Sequence, residues 1–308
     1  MRPWALAAAT LALFGVWSNS FIAIGFLLGA DGREPSFDWV GLTVARFLPA
    51  AAIGAAWCAL RRRSESLELL RRHPLRLTAC GFLAVPGYNF ALYYGQGHGV
   101  PAPIASLTTA LLPFFVMVLA ATFLAEPATL RRLAGFAVGA AGMWVVARAR
   151  GGGTTASYPL LIAITALAPL AWSIFSVVSK PLAGRVSPVL WTQLVTAIGG
   201  AMVLPLLPGR AWRDWVELDA AGWGALLYLV VPCTVLGFAT WTWLLRHLPA
   251  SAVGFTVFLN PPLTTLSKYL LAGWLPATFA FTIRTGEWLG GALTLAGLAL
   301  ALTYRRRR

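Results

Sequence analysis

Charge is what this chain has least of. Asp, Glu, Lys and Arg make up 11% of its 308 residues, with 10 acids against 24 bases. A globular domain carries about 25% charged residues, so this chain lacks the means to cover a water-facing surface. No segment alternates apolar and polar residues in the manner of an outer-membrane strand, which excludes a barrel. There is no His-Glu-x-x-His, no Gly-x-Ser-x-Gly and no carboxylate pair inside an apolar run, so the commonest hydrolytic chemistries have no residues to work with. The three cysteines, Cys58, Cys80 and Cys233, fall in apolar segments without metal-ligand spacing and read as small buried residues. No metal, cofactor or catalytic residue is expected.

What is present is hydrocarbon: 58% of residues are hydrophobic and the mean hydropathy is +0.73. Apolar runs long enough to cross a bilayer recur with short charged loops between them. They predict an all-α integral membrane protein with ten spans, at 4–28, 39–60, 76–98, 101–123, 130–148, 158–180, 188–208, 220–245, 249–273 and 286–304. The first run follows a single arginine as a signal peptide would, but it is too long for one and is read as a span. Sixteen of the 24 Lys and Arg then lie on one side of the membrane and six on the other, with Arg46 and Lys268 inside spans. By the positive-inside rule both termini are cytoplasmic, in a cell inner membrane. The net charge of +14 is therefore a topology signal and not a sign of nucleic-acid binding. The Arg305–Arg308 tail also suits anionic headgroups. "GQGHG" at Gly95 lacks the Lys-Ser/Thr of a phosphate loop and reads as a tight external turn.

Two stretches repeat. "VPAPIASLTTALLPFF" from Val100 matches "LPASAVGFTVFLNPPL" from Leu248, pairing Pro101 with Pro249 and Pro113 with Pro261 at an offset of 148. At an offset of 155, Gly135 pairs with Gly290, Gly142 with Gly297 and Trp17 with Trp172. The halves are 1–150 and 155–308, joined by "ARGGGTTAS". With an odd number of spans in each, the second half enters the membrane inverted, a plan common among secondary transporters. Pro113 and Pro261 fall near the middle of corresponding spans. Each removes a helical hydrogen bond, and such a defect in hydrocarbon must face protein or a wet cavity. A purely architectural kink is the alternative.

"FGVWSNSFIAI", "ARF" at Ala45–Phe47, "ALLPFFVMVLAATFLAE" ending at Glu126 and the glycine-spaced fifth and tenth spans resemble the drug/metabolite transporter superfamily, in particular its EamA-type exporters of two five-span repeats. The second half departs from that pattern: Trp274 stands where the glutamate would be, and Lys268 is unusual. The resemblance implies export of amino acids, their derivatives or other small metabolites.

Ionisable groups inside a span are costly and are functional candidates. Arg46 and Lys268, both in outer halves, are placed to hold a carboxylate or phosphate; snorkelling to the headgroups is the competing reading for each. No acid lies in a span core, which points to facilitated or exchange transport rather than coupling through a buried carboxylate. Glu126, at a span end, is expected to cap a helix or to pair with Arg131. Trp17, Asn19, Tyr88, Asn89, Tyr93, Thr109, Trp172, Trp241 and Asn260 are candidates for a substrate-binding lining, each with helix–helix contact as its alternative. Trp4, Trp39, Trp212, Trp215 and Trp223 read as interfacial anchors. Gly25–Gly29, Gly135–Gly139 and Gly286–Gly290 suit close packing within a monomer or across a homodimer. The expected protein is a secondary carrier for a small polar or amphiphilic metabolite, its partners being that small molecule and the lipid bilayer. An integral-membrane enzyme or lipid-handling protein acting on an anionic substrate is the alternative.

Overall fold

Apolar chain has no water to satisfy its amides in a bilayer, so it satisfies them within helices. The computed structural model describes residues 3–29, 34–100, 105, 107–149, 159–207, 215–271 and 284–302, without the side chains of 268 and 271. Expectations resting on Pro101, the linker at 151–158, Trp212, the Lys268 side chain, Trp274 and the Arg305–Arg308 tail lie outside the described residues.

In chain order the rods are α1 (Pro3–Leu27), α2 (Trp39–Arg61), α3 (Arg63–Arg72), α4 (74–97), α5 (Thr109–Phe123), α6 (Leu130–Ala149), α7 (Pro159–Ala183), α8 (Pro188–Leu206), α9 (Ala220–His247), α10 (250–271) and α11 (Thr285–Leu302). Seven of them, all but α3, α4, α5 and α10, are long and apolar enough to cross a membrane. No strand occurs among the described residues. Starts are marked by side chains: Asp38 caps α2 by accepting from Gly41 N at 2.6 Å, and Asp219 caps α9 by accepting from Gly222 N at 2.7 Å. The arginine-rich stretch after α2, read from the sequence as a loop, is the helix α3. It carries Glu65 in its first turn and Arg71 and Arg72 in its last, matching the helix dipole, and Ser66 and Leu69 are buried beneath it.

The last rods of the two halves, α6 and α11, pack with almost nothing between them. A Cβ added to Gly297 would sit 2.5 Å from Gly139 N and 2.6 Å from Gly135 O; one added to Gly142 would sit 2.7 Å from Gly290 O. The expected glycine spacings thus serve close packing inside the monomer. Gly29 does not: at φ 69 it ends the first rod in the left-handed region. The turn expected at "GQGHG" is confined to its end, where Gly99 has φ 96, while Gly95 lies within α4 against Thr165. The three cysteines are buried and free, as expected.

Five rods are irregular near mid-length. α5 and α10 each contain a 3₁₀ turn, Thr109–Leu111 and Thr256–Leu259, just before the expected breaks at Pro113 and Pro261. A second pair of breaks, not anticipated from the sequence, consists of π turns at Leu83–Gly87 around Pro86 in α4 and at Leu229–Leu236 around Pro232 in α9. α1 is interrupted at Ser18–Asn19. Its partner by sequence, α7, runs through the matching Trp172–Ser173 unbroken.

Glu126, beyond the end of α5, caps the opposite half. Its carboxylate accepts from Ala250 N at 2.6 Å, from Ser251 N at 3.0 Å and from the Ser251 hydroxyl, at the start of α10. Lys180 Nζ meets the same corner from α7, donating to Leu245 O at 2.5 Å and Leu248 O at 2.6 Å. A negative cap on helix amides and a cation on helix carbonyls each oppose the local dipole. We expect Glu126→Ala to lower unfolding stability in mixed micelles by about 1–2 kcal/mol, the usual cost of a lost N-cap. Glu126→Gln, which keeps an acceptor, should lose less than half of that.

Candidate functional site

The helix breaks free backbone groups, and side chains recover them. In α4, Asn89 Nδ2 donates to Ala84 O at 3.2 Å and to Val85 O at 2.9 Å, both within the π turn. In α9, Thr234 Oγ1 donates to Leu229 O at 2.8 Å, and Trp17 Nε1 donates to Cys233 O at 2.9 Å. At the break in α1, Ser20 Oγ donates to Trp17 O at 2.7 Å and Thr264 Oγ1, from α10, to Ser18 O at 2.8 Å. The irregular segments are therefore cross-linked to one another.

Arg46 is fixed on this scaffold. It is 5% exposed, its Nε donates to Thr234 Oγ1 at 2.8 Å and its Nη1 to Tyr93 OH at 2.7 Å. Thr234 thus ties the α9 π turn to the guanidinium. Both partners are neutral, and the ion pairs Arg62–Glu65 and Arg72–Glu68 lie at the surface, away from it. Arginine keeps its charge at any physiological pH, so Arg46 is a buried cation without a carboxylate partner among the described residues. It is not snorkelling: both assigned nitrogens point into the bundle.

The guanidinium opens onto a cavity that encloses about 600 Å³ of empty space when its open mouth is counted. Trp17, Ser20, Phe21 and Ile24 of α1 line it with Tyr88, Asn89 and Leu92 of α4. Thr109 and Leu112 of α5, Trp172 of α7, Phe238 of α9, and Val257 and Asn260 of α10 complete the wall. The floor is aromatic: Trp17 stacks on Trp241 at 5.5 Å and 30°, and Trp172 meets Phe238 edge-on at 4.7 Å. Trp241 Nε1 donates to Ser176 Oγ at 3.0 Å.

Of the residues singled out from the sequence, Trp17, Arg46, Tyr88, Asn89, Thr109, Trp172 and Asn260 come together on this cavity. Three others sit behind it. Tyr93 is fully buried and braces Arg46; Trp241 is fully buried beneath Trp17. Asn19 points to Gly15 O and Ser267 Oγ, both at 3.1 Å, and so joins α1 to α10. The apolar members Phe21, Ile24, Leu92 and Phe238 escaped the sequence reading, since nothing distinguishes them from lipid-facing neighbours. So did Glu287. In the first turn of α11 it is 1% exposed, and Thr265 Oγ1 donates to its Oε2 at 3.4 Å.

Several lining groups have no hydrogen-bond partner among the described residues: Asn89 Oδ1, Asn260 Oδ1 and Trp172 Nε1. An orphaned buried polar group costs about 1–3 kcal/mol, so a bound molecule that satisfies it gains accordingly. With Arg46 and an aromatic wall, the arrangement suits an amphiphile bearing an anionic group. Among the described residues that line it, no nucleophile is paired with a base.

Other chains resemble this one over nearly their whole length. A "probable terminal-alkyne amino-acid exporter" of Streptantibioticus cattleyicolor is 29% identical over 99% of this chain and 95% of its own. The "aromatic amino acid exporter YddG" of Ancylobacter novellus is 28% identical, over 92% of this chain and 94% of its own. A solved crystal structure superposes with a TM-score of 0.75 at 23% identity, covering 99% of both chains, which shows a common fold. The family and its relatives are transporters and not enzymes, so the enzyme alternative is set aside. The EamA-like transporter family matches twice, over residues 4–148 and 159–303, and the chain belongs to that family as a multi-pass membrane transporter.

Proposed function

We propose that the protein is a secondary carrier that exports an amino acid or amino-acid derivative across the cytoplasmic membrane, with Arg46 holding the carboxylate of its cargo. The observation that carries this reading is a buried guanidinium, held by Tyr93 and Thr234 with no acid beside it among the described residues, facing a cavity lined by aromatic and amide side chains. Evolution of a stable bundle alone gives no reason to keep such a charge, because an unpaired buried ion is costly. The exporters of amino acids among its relatives favour the same class of cargo.

The ten rods other than α3 all cross the bilayer in this reading, as two inverted sets of five. Exchange of the halves supports it: α4 packs on α7 as α9 packs on α1, and α2 on α9 as α8 on α4. Both ends of the chain then lie in the cytoplasm. Most lining residues come from the helix halves that lead to the arginine-poor loops. The cavity is thus a cup open to the outside, closed below by Trp241 and, further in, by the corner that Glu126 and Lys180 hold. Rocking of the bent helices of each half against the joined α6 and α11 would open that corner and close the mouth, giving alternating access.

The test is direct. Purified protein in liposomes loaded with labelled phenylalanine, leucine or another apolar amino acid should release label well above protein-free liposomes. Retention of the whole panel at the protein-free rate would sink the carrier reading.

A further inference from the structure

The residues that line the cavity carry groups without a hydrogen-bond partner among the described residues, and these are of two opposite kinds. Arg46, of which Nε and Nη1 alone are engaged among the described residues, and Trp172 Nε1 offer N–H groups. Asn89 Oδ1 and Asn260 Oδ1 offer lone pairs. The orientation of Asn89 is settled by chemistry: carbonyls accept, so the atom facing Ala84 O and Val85 O must be its NH2 group, and the oxygen is turned away from them. That residue is 1% exposed, so bulk water does not reach its oxygen freely.

A plain carboxylate would satisfy Arg46 and Trp172 and leave both amide oxygens as they are, since it brings no N–H. An ammonium group brings three N–H donors and no acceptor. We propose that Asn89 and Asn260 read the ammonium group of the cargo, so that the species carried is a free amino acid and not the deaminated acid or its N-acyl derivative. This rests on the carrier reading and specifies its substrate. Amides suit the task better than carboxylates would. An Asp at either position would carry a charge able to pair with Arg46 and fill the cavity with an internal ion pair. A neutral carbonyl attracts the ammonium and leaves the guanidinium for the carboxylate. The faces of Trp17, Tyr88 and Phe238 add a surface that attracts a cation.

Competition against efflux of labelled phenylalanine from proteoliposomes tests this, with phenylalanine, 3-phenylpropanoate and N-acetylphenylalanine as competitors. Wild-type protein should prefer phenylalanine over both amine-lacking acids by about 30-fold, one charge-assisted contact's worth of discrimination. Asn260→Leu is the variant of choice, because Asn89 also repairs its own π turn. It should shrink that preference to roughly 3-fold or less by weakening phenylalanine alone. Equal competition by the acids in the wild type, or an equal loss for all three competitors in Asn260→Leu, overturns the proposal while leaving the carrier reading intact. Absence of flux for every amino acid of the panel overturns both.

Discussion

Arg46→Met should yield a folded protein that no longer moves a carboxylate-bearing cargo. Methionine keeps most of the volume of the side chain but removes the guanidinium. The cost to the cargo is a charge-assisted contact of about 2–3 kcal/mol, a drop of roughly 30- to 150-fold in apparent affinity. The fold should pay little, because the lost hydrogen bonds go to neutral partners and a desolvated cation disappears with them. Thr234 retains its bond to Leu229 O, so the π turn in α9 stays closed. Transport into or out of liposomes, set beside thermal unfolding of the same preparations, separates the two effects. Flux of an uncharged cargo should suffer far less. If Arg46→Met unfolds the protein, or transports a carboxylate cargo at the wild-type rate, the residue is architectural and the anion site is wrong.

Gly297→Leu should do the reverse and abolish the folded state. The first atoms a side chain would meet there are Gly139 N at 2.5 Å, Gly135 O at 2.6 Å and Gly139 Cα at 2.7 Å. All are backbone, so no rotamer change relieves the overlap and α11 must leave α6. In lipid there is little hydrophobic drive to hold the separated helices together, since hydrocarbon tails replace the lost contacts. The loss should exceed the ordinary overpacking cost of about 1–3 kcal/mol, and monodisperse protein should not be recovered from detergent extracts. Gly224→Ala is the control. Nothing stands within 4 Å of a Cβ at that position, and removal of a helical glycine should raise stability by about 0.5–1 kcal/mol. Normal yield of Gly297→Leu would mean that the close approach of α6 and α11 is not required for folding.

Much of this architecture can be read from the sequence, because the bilayer imposes one simple rule on every span. Apart from the start of α5, described helix ends lie within about three residues of those expected from hydropathy alone, the usual tolerance for such boundaries. The glycine faces of α6 and α11 were legible for the same reason: small residues at helical spacing mean close approach whatever the partner. Pro113 and Pro261 stood out because they repeat. Pro86 and Pro232 repeat as well, in "LAVPG" and "LVVPC", yet a proline alone does not say whether its helix will kink or widen by one residue. That choice was made by Asn89 and Thr234, whose side chains close the widened turns. Polar lining residues could be shortlisted because polarity is rare in a span. Whether one faces the cavity, as Asn260 does, or ties two helices, as Asn19 does, depends on rotation about the helix axis. A few degrees of that rotation are invisible to composition.

The glycine contact between α6 and α11 also limits how the molecule can change shape. Side chains act as a compliant layer between most helices, and shear between rods is absorbed by shifts of their rotamers. Where main chain lies against main chain, as at Gly139 and Gly297, there is no such layer and sliding would drive atoms into one another. These two rods must turn together as one stiff post. Any exchange between open and closed forms falls to the bent helices around the cup, which already carry their joints.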